Sequence, residues 1–201
     1  MDNVVNKAPR VKLTPNLEKI LASICFVLKK AKEDNLQVTQ YDLVKTLFLA
    51  DRQHLNTYGR LITFDNYLAM QHGPVPSISY NLLKENKRTL NKYKLEVKDL
   101  LWNKTNAPHI GRSAFIYTLK KNAQCNLSSL SDSDMEILES NLRVVKSLSF
   151  TQLRRLTHQD PAYIEANPNE ENINPSMSLG MLFDSPNYEA AELVEFTSKH
   201  Q

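Results

Sequence analysis

Apolar residues recur at three- and four-residue steps through Leu17, Ile20, Leu21, Ile24, Val27, Leu28 and Ala31, the spacing of one buried helix face. Thr14 and Pro15 suit an N-cap and the first helical position, and Lys29, Lys30 and Lys32 fall where cations suit the helix dipole. A second helix is expected after Thr39, with Asp42 completing a capping box. Leu43, Leu47, Ala50, Asp51, His54, Leu55 and Tyr58 trace its inner side, and Gly59 stops it. The period then changes. Leu61–Phe64 and Tyr67–Met70 are β-prone runs around Asp65-Asn66, expected to pair as a small antiparallel hairpin. Gly73-Pro74-Val75-Pro76 forms an elbow lacking two N–H donors, and Ser77 opens a short helix.

Farther on, Phe115–Leu119 is a β-rich run expected to pair with the central hairpin. Ser131 with Asp134 and Ser149 with Gln152 mark two more helix starts. The first precedes an apolar stripe of Met135, Leu138, Leu142, Val145 and Leu148. Beyond Ser185-Pro186, Tyr188, Ala191 and Val194 have the spacing of a short terminal helix. The pattern predicts a mainly α (α+β) fold: one compact helical domain with a small antiparallel β-hairpin.

Asp51 shares its helix face with Leu47 and Leu55, so its carboxylate points toward the core. An unpaired carboxylate there costs several kcal/mol, and His54, Arg60 and His72 are the partners within reach in sequence. Asp51, His54 and His158 are therefore read as a structural polar clamp. A catalytic Asp/His pair is the sharper alternative, and nothing in the sequence favours chemistry.

Composition narrows the classes. No apolar run approaches the ~20 residues of a membrane span, and Met1–Lys12 reads as a polar, basic arm without a signal-peptide core, so a cytoplasmic protein is expected. Cys25 and Cys125 make neither a disulfide framework nor a zinc spacing, and both are expected to remain reduced. The five histidines are ungrouped, no phosphate loop or nucleophile elbow occurs, and no metal or cofactor is expected. The net charge of +3 is uneven: residues 1–125 hold 20 Lys/Arg against 10 Asp/Glu, and residues 126–201 hold 5 against 12. Residues 84–121 are the most basic part, with Tyr93 and Trp102 interleaved, a combination that can hold single-stranded nucleic acid. A soluble insertion with Trp102 packed inward is the reading preferred here. The loop between the first two helices is too long for a helix-turn-helix.

Leu49-Ala50-Asp51-Arg52 with His54-Leu55, then Tyr58-Gly59-Arg60 with Ile62-Thr63, Asp65 and Tyr67, then Ala69-Met70 with His72-Gly73-Pro74-Val75-Pro76-Ser77 resembles the signature of the Panacea domain family. These are the SocA-like antitoxins, also called phage-associated GepA-like proteins. Leu130–Asp134 and Leu153–His158 with Asp160–Tyr163 agree, with tyrosine at 163 where members often carry tryptophan. The resemblance spans about residues 13–183, leaving a basic arm at 1–12 and an acidic tail at 184–201. It implies an antitoxin that binds and masks a cognate protein toxin, with delivery to protease machinery as a variant. A nucleic-acid-binding regulator is the runner-up and an Asp/His enzyme comes third. Partner contacts are expected at Arg60, Phe64, Asp65, Tyr67, His72 and Pro74, around the hairpin and elbow.

Overall fold

The computed structural model describes residues 11–111 and 114–201. Residues 1–10 of the expected basic arm lie outside the described residues. The chain is 52% helical, with eight helices among the described residues and a small antiparallel sheet. In order come α1 (Leu17–Glu33), β1 (Val38–Thr39), α2 (Gln40–Tyr58), β2 (Tyr67–Met70), β3 (Gly73–Pro76), α3 (Ser77–Leu83), α4 (Lys87–Lys92), β4 (Trp102–Asn106), β5 (Phe115–Leu119), α5 (Asp132–Ser147), α6 (Phe150–His158), α7 (Pro161–Ala166) and α8 (Tyr188–Ser198). Leu179–Leu182 forms a 3-10 turn before α8.

α2 is the axis. It gives Leu43, Val44, Leu47 and Ala50 to a first apolar cluster with α1 and α5. It gives Phe48 and Leu55 to a second, with Leu13, Phe64, Tyr67, Tyr163, Leu182 and Val194. A helix lined on nearly every side must keep its own backbone satisfied, and its ends do so. Thr39 and Asp42 form the expected capping box, and Gly59 closes the helix at φ 73°, the left-handed region that glycine enters without strain. The Ser131–Asp134 and Ser149–Gln152 capping boxes are likewise present. α1 starts later than expected, because the Asn16 side chain, rather than Thr14, accepts from Lys19 N.

Both strand expectations need correction. The hairpin pairs β2 with β3, Tyr67 opposite Pro76 through Met70 opposite Gly73, so the elbow itself is a strand. Leu61–Phe64 cannot serve as its partner: the Ile62 and Thr63 amides donate to Asp51, and Phe64 sits at φ 52°, which interrupts extended backbone. β5 joins a separate sheet of order β1-β5-β4, because Val38 and Thr39 offer their edge to Tyr117 and Ile116. Trp102 and Tyr117 turn inward and are buried, as the soluble-insertion reading required for Trp102. The thiols are corrected too: Cys25 and Cys125 form a disulfide, their Cα atoms 5.9 Å apart, tying α1 to the loop before α5. The acidic tail is no free appendage. Ala191 and Val194 of α8 are buried, and Thr14 N donates to Ser198 Oγ at 3.0 Å.

Candidate partner-binding face

The signature residues build three polar knots around the C-terminal half of α2 and the link that follows it. In the first, Asp51 Oδ1 accepts from Ile62 N (2.7 Å) and Thr63 N (3.0 Å), and Oδ2 accepts from Tyr67 Oη (2.7 Å) and the Thr63 hydroxyl. Burial pushes the Asp51 carboxyl up, and these four donors pull it back toward the charged form. The knot holds the link after Gly59 against the helix and is sealed from solvent.

In the second knot Asp65 caps α3 from outside that helix. Its oxygens accept from Ile78 N (3.0 Å), Ser79 N (2.8 Å), Ser79 Oγ (2.9 Å) and Ser77 Oγ (3.1 Å). Pro76 at the N-cap has no side-chain hydrogen bond of its own, so Asp65 satisfies amides that would otherwise be orphans. The third knot centres on Asp134, with Lys19 Nζ at 2.9 Å, His54 Nε2 at 3.0 Å and Arg60 Nη2 at 2.8 Å. Burial alone would raise that carboxyl, but His54 and Lys19 hold it well below the usual carboxylate range.

The hairpin turn projects from this frame. Gln71 and His72 are exposed, and His72 stands edge-on to the Phe150 ring at 5.6 Å. Gly73 lies at φ +99°, where a Cβ would sit 2.7 Å from Thr157 Oγ1 and 2.8 Å from Lys45 Nζ. Glycine is required twice there, by backbone and by space. Beside the turn a groove of about 990 Å³ runs between the start of α2, the hairpin, β5 and the start of α6. Lys45 lies at its base, fully buried, and donates to Pro74 O at 2.7 Å. Burial pulls its amine down to about 7.

The model of the antitoxin SocA-like, Panacea domain family matches residues 43–163, more than half of the chain and every residue of the three knots except Lys19. The chain belongs to this family. No curated protein and no solved structure matches it. The family match covers α2 through the start of α7, and α1 and α8 clasp that Panacea core from either side of the sequence.

Within the Panacea core the anticipated clamp separates into parts. Asp51 meets neither His54 nor His158; His54 faces Asp134 and the Arg60 carbonyl, and the His158 ring lies 4.3 Å from Tyr163. Nor does Asp51 meet His72; the Asp/His contact that the fold assembles is the buried one between His54 and Asp134. Phe64, Asp65 and Tyr67 are buried: Tyr67 packs on Phe48 at 5.3 Å, and Asp65 is spent on α3. All three are spent inside the fold. Pro74 is buried as well, with its carbonyl on Lys45. Arg60 is partly exposed, and His72 is open to a partner.

Lys45 escaped the sequence reading. The signal was present: Leu43-Val44 and Leu47-Phe48-Leu49-Ala50 put apolar side chains on every side of α2, and a helix apolar all round is buried all round, with whatever polar residue it carries.

Proposed function

We propose that the protein is an antitoxin that silences a cognate protein toxin by direct stoichiometric binding, with the hairpin turn and the groove beside it as the docking face. The observation that carries this reading is the match of the antitoxin-like Panacea domain over α2 to α7. The rigidity of the face supports it. Asp51, Asp65 and Asp134 each anchor one stretch between Gly59 and α3, so little ordering entropy remains to oppose association. The working compartment is the cytoplasm, and delivery of the captured toxin to a protease is a variant of the same binding step.

The basic 84–121 region is not assigned to nucleic acid: of its two interleaved aromatics, Trp102 is buried and cannot stack on bases, which leaves only the half-buried Tyr93. The isolated protein is expected to show no tight, salt-sensitive binding to single-stranded DNA or RNA. The test of function is rescue. Each gene product encoded beside this chain is induced in a host with and without it. Restored growth and a one-to-one complex on copurification are expected for one neighbour. Growth arrest by a neighbour that this chain neither relieves nor captures would refute the reading.

A further inference from the structure

The groove beside the hairpin turn contains buried polar groups that lack partners among the described residues. Lys45 has no acid among its partners; its contacts are the Pro74 carbonyl and the face of Tyr41, 5.2 Å from the ring centroid. Asp42, one turn away, already pairs with Lys146 at 3.2 Å. Tyr41 and Gln40 line the same groove, and the Tyr41 hydroxyl and the Gln40 side-chain amide nitrogen are buried without a partner among the described residues. Buried donors left unpaired are costly and uncommon, and a lysine sealed beneath them adds an uncompensated positive charge. Val75, Tyr80, Phe115 and Leu148 give the wall apolar stretches, interspersed with Gln37, Gln71 and Asn174. Phe150 covers this end, its ring 4.8 Å from Tyr41, and it is 52% exposed.

We infer that this groove receives an extended segment of the partner in which an acidic side chain lies between apolar ones, the carboxylate accepting from Tyr41 and Gln40 above the charge of Lys45. The Phe150 ring swings aside to admit it and then packs on the neighbouring apolar side chain. The choice of a carboxylate follows from charge complementarity: the unsatisfied groups are donors and the unpaired charge is positive. A basic segment would add to that charge, and a wholly apolar one would leave the donors stranded. The inference rests on the toxin-binding reading for the origin of the segment, and the groove's preference is measurable without any toxin.

The titratable groups around Lys45 are Tyr41 and Asp42 on its own helix, His72 on the hairpin turn and Lys146 on α5, with His158 on α6. None of these is an acid free to neutralise it, since Asp42 is engaged by Lys146. Binding of an acidic segment therefore draws a proton onto the amine and strengthens as the pH falls from 8.5 to 6.5.

The probe is a fluorescein-labelled pentapeptide with aspartate at its centre between leucine and phenylalanine residues, compared with otherwise identical peptides carrying asparagine or lysine there. Anisotropy with the full chain is expected to show the aspartate peptide binding at least tenfold more tightly than the asparagine one, and the lysine one weakest. Lys45→Met and Tyr41→Phe should each reduce that preference to threefold or less while melting as folded proteins. Equal affinity for the three peptides, no binding of any, or an unchanged preference in folded Lys45→Met would overturn the inference. Growth rescue separates the two proposals. Acid-selective peptide binding without rescue leaves the groove standing and removes the toxin; rescue unaffected by Lys45→Met and Tyr41→Phe keeps the toxin and moves its interface.

Discussion

Lys45 occupies a helix position that would be filled more stably by a hydrocarbon. Its folded amine is lowered to about 7 from the ordinary 10.5, with burial as the cause. Between those values the unfolded chain holds a proton that the folded chain has lost, so stability climbs as pH rises through that window. At and below pH 7 the cost is fully present. Lys45→Met is therefore expected to stabilise the protein by about 1–4 kcal/mol, with the gain largest near pH 6.5 and shrinking toward pH 10 in urea titrations. Asp51 behaves in the opposite way. Asp51→Ala strands two backbone amides and two hydroxyls in a sealed site, and should lower the unfolding free energy by roughly 3 kcal/mol. Unchanged urea midpoints would deny it the anchoring role.

The β2–β3 hairpin depends on Gly73 as α2 depends on Gly59, with one difference. A Cβ at Gly59 meets nothing within 4 Å, whereas at Gly73 it strikes Thr157 and Lys45. Gly73→Ala should cost about 2 kcal/mol or more from strain and displacement together, and Gly59→Ala about 1 kcal/mol from strain alone; paired thermal melts decide the order. Helices were legible in the sequence because period and caps agree locally: Thr39 with Asp42, Ser131 with Asp134, and Gly59. The strands were not. Leu61–Phe64 has the composition of a strand, and only the distant Asp51 carboxylate, which takes its amides, makes it something else. The same distance effect hid the candidate site. His54 and Asp51 are three residues apart, yet each is engaged by groups from other elements, and Gln40, Tyr41 and Lys45, all on α2, are enclosed as a groove only when the hairpin and α6 pack against that helix. Residues of the signature were visible, and their division into anchors and face was not.

Across the whole molecule Asp134 joins α1, α2 and α5 through Lys19, His54 and Arg60. Its folded carboxyl lies below the ordinary 3.8, so its contribution is present above that value and is lost as pH falls below it. Asp51, Asp65 and Asp160 are shifted upward by burial and work against this trend, which makes the wild-type profile a composite. The stability gap between wild type and Asp134→Asn isolates it. That gap should be wide at pH 7 and close as pH falls through the carboxylate range, read from urea midpoints. The second apolar cluster is tied at both ends of the chain: Leu13 enters it near one end, and Ala191 and Val194 near the other. Ending the chain at Asn187 should expose Leu179 and Leu182, lower the melting temperature and raise binding of a hydrophobic dye.

That closure also sets an order in time. Every buried residue of the first cluster lies at or before Leu142, so α1, α2 and α5 can assemble while the ribosome is still extending the chain. The second cluster waits for α8, and the hydrogen bond from Thr14 to Ser198 spans 184 positions, among the slowest kinds of contact to find. Until α8 emerges, Leu179 and Leu182 lack the cover of Ala191 and Val194, and exposed apolar surface of this kind invites degradation. An interruption of translation before α8 therefore leaves that surface open.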